Sequence, residues 1–372
     1  MRSPTSHSPA ASTIAWRAAS LLVVATLLIS AIVGGLLRAG VAAPVPTASA
    51  WPAQAVLAHA FLMMSAFMGT VIGVERAVAV KHRAAFIGPL LSALAGLAML
   101  GAQAVLAAWL AVAAALGFVI VNLVVVKRQP AAHTALLLVG GFALLAANLL
   151  LALGSAAASV IPGWFSFLVL TIAAERLEMT RLMRRRRGAA GALYICLAAL
   201  LLGAAGFALS PAIGALLFGA ALLGLAIWLM VFDIARRTIA ASGLSRYMAA
   251  CLLAGYAWLA IAGAAWMGTG LGLPLRDVAL HALGLGFIFS MMLGHAPVIL
   301  PAIARIKVEF GVHFYLPLAL LHLSLALRLL AAPFLPAALR LGALGNALAI
   351  ALFAMTMVGA ALTWRARHTH PA

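Results

Sequence analysis

The chain has 372 residues, 66% of them hydrophobic and only 8% charged, with a mean hydropathy of +1.19. Soluble domains carry about 25% charged residues, so this composition excludes a soluble globular protein and leaves an integral membrane protein. The formal net charge of +18 would suggest nucleic-acid binding in a soluble chain, but here the charges alternate from loop to loop as membrane topology demands, and no nucleic-acid partner is expected.

A helix needs about 20 apolar residues to cross a hydrocarbon layer of roughly 30 Å. In chain order, twelve runs approach or exceed that length: 15–37, 53–75, 85–103, 105–126, 133–154, 161–175, 191–209, 212–232, 247–268, 276–298, 313–331 and 339–364. The predicted fold is all-α, one polytopic transmembrane domain over residues 1–372 with the lipid bilayer as its first partner. The sixth run is the shortest and weakest. Pro52, Pro130, Pro162, Pro211, Pro274 and Pro336 fall at or beside predicted boundaries. The first run follows a basic start and precedes Ala48, Ser49 and Ala50, as a secretory signal would, but its length argues for a first membrane helix.

Short basic loops stay on the cytoplasmic side. With the N-terminus inside, the outer segments hold only Arg38, Arg276, Arg328 and Arg340, so 24 minus 4 leaves 20 basic residues inside, and both termini are expected in the cytoplasm. The run from Arg184 to Arg187 suits anionic lipid headgroups. Cys196 and Cys251 lack any metal-binding spacing and read as reduced thiols packed within helices.

Ionisable groups within the bilayer are costly and mark functional candidates. Four histidines lie well inside predicted runs: His59, His281, His295 and His322. At about 1.5 Å rise per residue, His59 is roughly 12 Å and His281 roughly 8 Å below the outer surface, on parallel helices. Two imidazoles at one level, one from each helix, are what a six-coordinate haem requires. The alternative is that each ring hydrogen-bonds a neighbouring helix as structural glue. His295 lies fourteen residues beyond His281 and is expected on nearly the same face, about 21 Å deeper. With His322, and with Met291 and Met292 as thioether donors, it can form a second metal site, copper being the ion those ligands suit; the alternative is again structural histidine. Met63 and Met64 read as helix core or as polarisable pocket walls. Arg276, Arg328 and Arg340 break the inside bias, and can either hold haem propionates or snorkel to the interface.

The segments TVIGVERAVAV and VLTIAAERLEMTR place Glu75–Arg76 and Glu175–Arg176 at the inner ends of runs 2 and 6. Four runs further on comes run 10, the second histidine helix. The twelve helices are thus expected to form three sets of four, with 2, 6 and 10 in corresponding positions.

The segments HAFLMMSAFMGTVIGVERAVAV (59–80) and HALGLGFIFSMMLGHAPVILPAI (281–303) resemble the NnrS family of haem- and copper-containing membrane proteins and, more distantly, subunit I of the haem-copper oxidases. That resemblance implies three four-helix arcs, His59 and His281 as ligands of a haem b, outer arginines such as Arg328 and Arg276 on its propionates, and a bacterial inner membrane with a respiratory or electron-transfer partner. It implies a part in nitric oxide response. Runs 6 to 9 contain no histidine, so the copper site of an oxidase is missing and oxygen reduction is not expected.

Two rival classes stand beside this reading. A secondary transporter shares the twelve-helix plan with an internal repeat; against it, the acidic residues Glu75, Glu175, Glu178, Asp233 and Asp277 all lie at helix ends. A membrane assembly factor with purely structural histidines is the other.

Overall fold

The structure, a computed structural model, describes residues 9–42, 49–179, 187–304 and 306–368. Among them, regular structure is helical throughout, and twelve helices are long and apolar enough to cross a membrane. In chain order these are α1 (Pro9–Arg38), α2 (His59–Val80), α3 (Arg83–Leu100), α4 (Ala104–Arg128), α5 (Ala132–Ala152), α6 (Ala157–Met179), α7 (Ala189–Gly206), α8 (Pro211–Phe232), α9 (Gly243–Gly270), α10 (Arg276–Pro301), α11 (Val312–Ala331) and α12 (Pro336–His368). A separate short helix, Trp51–Leu57, leads into α2. Arg184 to Arg186 lie outside the described residues.

Consecutive helices pack side by side, and α12 returns to touch α1. Helices α2, α6 and α10 touch one another in the interior. These are the three that the spacing of the Glu-Arg dipeptides and histidines placed in correspondence. The run that reads weakest is the most enclosed: α6 has 78% of its central window buried, against 22% for α1. A helix surrounded by protein has no need of a purely apolar surface, and α6 carries Trp164, Ser166 and Thr171 fully or nearly fully buried. Pro162 lies inside α6 rather than at its boundary. The Ser166 hydroxyl donates to the Pro162 carbonyl at 2.9 Å.

Without a hydrophobic drive between helices in lipid, polar side chains and close approaches hold the bundle together. Asn148 on α5 is the main polar joint. Its Oδ1 accepts from Ser65 Oγ of α2 at 3.0 Å and from Trp164 Nε1 of α6 at 2.8 Å, and its amide donates to the Ala111 carbonyl of α4 at 2.9 Å. Gly342 lets α12 reach α11: a Cβ there would lie 2.5 Å from the Cβ of Arg328.

Three stretches are π-helical: Leu62–Met68 in α2, Ala282–Phe289 in α10 and Leu327–Ala331 in α11. The π-helix is rare and concentrates at functional sites, because its wider turn leaves carbonyls to be satisfied from elsewhere. In α2 the Ser65 carbonyl accepts from Ser92 Oγ of α3 at 2.8 Å.

Candidate functional site

The three π-helical stretches converge on one place. His59 precedes the first by three residues, His281 immediately precedes the second, and Arg328 lies within the third. The rings of His59 and His281 stand with centroids 6.5 Å apart and planes inclined by 26°. The matching depths read from the sequence are therefore realised as a facing pair.

Each ring is fixed by what its Nδ1 touches. His59 Nδ1 donates to the Ala31 carbonyl of α1 at 2.7 Å. A carbonyl can only accept, so the proton is on Nδ1 and the lone pair on Nε2. Gly34 and Gly35 make this approach possible: a Cβ at Gly34 would lie 2.1 Å from the Ala55 carbonyl oxygen, and one at Gly35 2.8 Å from Cε1 of His59. His281 Nδ1 donates to Asp277 Oδ1 at 2.9 Å, one helical turn back, with the Asp277 carbonyl oxygen at 3.1 Å. Its Nε2 is likewise left as the acceptor. Arg328 Nη2 lies 3.2 Å from that Nε2.

Arg328 is buried and bidentate toward one carboxylate: Nε reaches Asp277 Oδ2 at 3.2 Å and Nη2 reaches Oδ1 at 2.9 Å. Asp277 thus orients the imidazole and neutralises the arginine together, as an outer-shell carboxylate does for a ligating histidine. Of the three arginines proposed for this end, Arg328 is in the site. Arg276 is exposed at the first residue of α10, and Arg340 is exposed beside Gly40. Arg38 was not among the candidates, yet it lies within electrostatic reach of His59 while donating to the Val56 carbonyl at 3.3 Å. Asp277 also escaped notice as a site residue, although its place four residues before His281 puts it on the same helical face.

The family of this chain is a domain of unknown function, DUF8744, which matches residues 17–362. The chain belongs to the DUF8744 family. The match runs from α1 into α12 and so takes in the whole bundle. No curated protein and no solved structure matches the chain.

The other two candidate histidines of this DUF8744 chain do not join the pair. His295 Nδ1 donates to the Met291 carbonyl at 2.7 Å, and its Nε2 meets Arg176 Nη2 of α6 at 2.7 Å. His322 Nδ1 accepts from Trp258 Nε1 at 2.9 Å, and its Nε2 lies 3.3 Å from Ser290 Oγ, whose own proton goes to the Cys251 carbonyl at 2.7 Å. Both rings are saturated by different partners. Among the described residues there is no group of three or more His, Cys, Asp or Glu side chains arranged to hold a metal ion.

His295 faces α6, not the direction of His281, and this departs from the expected shared face. The expectation assumed an α-helix throughout. A π-turn closes i to i+5, one residue more than the α-turn, so each delays the facing direction by about 100°.

Proposed function

We propose that this protein binds one b-type haem between His59 and His281 in a bacterial inner membrane, and serves respiratory electron transfer or a nitric oxide response. The observation that carries the reading is the ring pair. Two metal–nitrogen bonds of about 2 Å and two imidazole radii of about 1.1 Å span about 6 Å between ring centres, close to the 6.5 Å found. The donor set also fits. Both rings have Nδ1 engaged by oxygen acceptors, which leaves Nε2 as the ligating atom. His281 Nε2 would have to exchange the Arg328 contact for the iron, and the guanidinium would keep Asp277 while its remaining donors served an anion beside the ring.

A bound bis-histidine haem supplies reversible one-electron transfer. The chain's own contribution is orientation and electrostatics: Ala31 and Asp277 fix the rings, and Arg328 and Arg38 place positive charge at that end. Copper at His295 and His322 is not part of this reading, because each ring would have to give up a hydrogen bond and His295 already faces a guanidinium, which repels a metal cation.

The test is the visible spectrum of the purified full-length protein, oxidised and dithionite-reduced, with His59→Ala and His281→Ala. Sharp six-coordinate b-type bands, lost in both variants, are expected. A colourless protein after expression with ample haem refutes the proposal, and bands that survive in both variants refute the assignment of ligands.

A further inference from the structure

The first turns of α9 and α11 border an open cavity of about 380 Å³, a size within the range of roughly 300–1,000 Å³ of small-molecule sites. From α9 it takes Gly243, Arg246 and Ala250, which at spacings of three and four residues share one helical face. Opposite them stand Phe310, in the segment joining α10 to α11, and Val312 and Tyr315 at the start of α11. The basic loops assign this end of the bundle to the cytoplasm. The lining is graded along α9: Arg246 lies within the first turn, and Ala250 follows about 6 Å deeper toward the bilayer.

The aromatic wall is already in place. Tyr247 is fully buried and packs its ring against Phe310 and Tyr315, with centroids 5.4 and 5.3 Å apart, so a ligand meets a fixed surface and binding orders little. At the mouth, Arg246 Nε donates to the Ile239 carbonyl at 3.2 Å, which anchors the guanidinium beside the cavity. Arg246 is exposed and forms no ion pair among the described residues, and neither do the exposed Arg236 and Arg237 of the short helix that precedes Ile239. No carboxylate lines the cavity, and Glu309, next to Phe310 in sequence, is paired with Arg367. Val312 is 84% exposed and leaves an apolar flank at the opening.

We infer that this cavity holds one anionic phospholipid of the cytoplasmic leaflet, with its phosphate on the Arg246 guanidinium and the start of one acyl chain between Ala250, Phe310 and Tyr315. A guanidinium above an apolar wall matches an amphiphile, whereas a bare anion would leave the wall uncovered. A zwitterionic headgroup would bring its ammonium to a rim of arginines with no unpaired carboxylate, so the net charge of the lipid decides. The inference is independent of haem at the other end of the bundle, and a colourless protein leaves it intact.

The test is native mass spectrometry of the full-length protein released from micelles that contain equal amounts of phosphatidylglycerol and phosphatidylcholine of one chain length. Wild type should retain one phosphatidylglycerol in preference to phosphatidylcholine by about fivefold, the factor that one arginine supplies near an anionic headgroup. Arg246→Gln should bring the two lipids close to parity. Ala250→Leu should lower retention of both by filling the cavity, and Arg83→Gln, exposed at the start of α3, should change nothing. Should Ala250→Leu fail to fold, competition on wild type still decides whether the chain is held: glycerophosphoglycerol, the same headgroup without acyl chains, should not displace the lipid. Equal retention of both lipids by wild type, an unchanged preference in Arg246→Gln, an equal fall in Arg83→Gln, unchanged retention in Ala250→Leu, or displacement by glycerophosphoglycerol overturns the proposal.

Discussion

The pair formed by Asp277 and Arg328 joins α10 to α11 and should be energetically lopsided. The arginine side chain is 10% exposed and the aspartate 46%. Removing one partner of a fully buried pair costs about 3–5 kcal/mol, chiefly because a charge is stranded, whereas exposed pairs are worth about 0–1 kcal/mol. Asp277→Ala strands the enclosed guanidinium and should cost about 2 kcal/mol; His281 still has the Asp277 backbone oxygen at 3.1 Å, so its tautomer survives. Arg328→Met strands only a half-solvated carboxylate and keeps the aliphatic packing against Gly342, and should cost under about 1 kcal/mol. The double variant should resemble Arg328→Met, with a coupling energy of about 1–2 kcal/mol. Reversible unfolding in mixed micelles, run as a double-mutant cycle, measures all three. If Arg328→Met costs more than Asp277→Ala, or the coupling falls under about 0.3 kcal/mol, the argument from burial is wrong.

Two further substitutions probe how the sites are held. Gly35→Ala places a methyl 2.8 Å from Cε1 of His59; the ring must move off the Ala31 carbonyl, at a cost of about 1–3 kcal/mol, and haem content per protein should fall below wild type, while unchanged stability and content would mean that the two helices slide apart freely. Asn148→Ala removes the acceptor shared by Ser65 and Trp164 and the donor to Ala111; with interhelical hydrogen bonds worth about 0.6–1.7 kcal/mol each, a loss of about 2–3 kcal/mol in the same unfolding assay is expected, and a loss under about 0.5 kcal/mol would deny the joint its role.

Much of the bundle was legible because a bilayer imposes length and polarity directly on the sequence. The observed spans begin and end within a few residues of the apolar runs, and Pro211 and Pro336 open α8 and α12 as expected. The sixth span is present but longer than its apolar run, 157–179 against 161–175, because Pro162 lies inside the helix rather than at its boundary and the helix faces protein. At the site, the residues whose position alone carries the signal were legible: His59 and His281 by depth, and Arg328 by its place outside the inner loops. Asn148 was not, because nothing in a sequence says which face of a helix meets three others. Nor was the orientation of His295, since a π-turn leaves no mark in composition, and Ala282–Phe289 is as apolar as any α-helical run in the chain.

Those irregular turns bear on how the two ends of α10 meet different neighbours. A regular α10 would bring His295 back to nearly the face of His281, and both imidazoles would look into one crevice. The π-stretch between them turns the lower half of the helix toward α6, so that Asp277 and His281 serve α2 and α11 while His295 serves Arg176. Between the two, Ser290 gives its proton to the Cys251 carbonyl and meets His322, itself closed off by Trp258. Ser290, His322 and Trp258 form a neutral, hydrogen-bonded set, which costs little in a low-dielectric interior. The upper end of α10 is thus tied to α2 and α11, its lower end to α6, and the neutral set of Ser290 and His322 lies between them. On that argument Ser290→Ala, which removes the bond to the Cys251 carbonyl without touching the ring pair, should cost about 0.6–1.7 kcal/mol in the unfolding assay and leave haem content at the wild-type level, and a loss of haem in that variant would show that the middle of α10 also supports the rings.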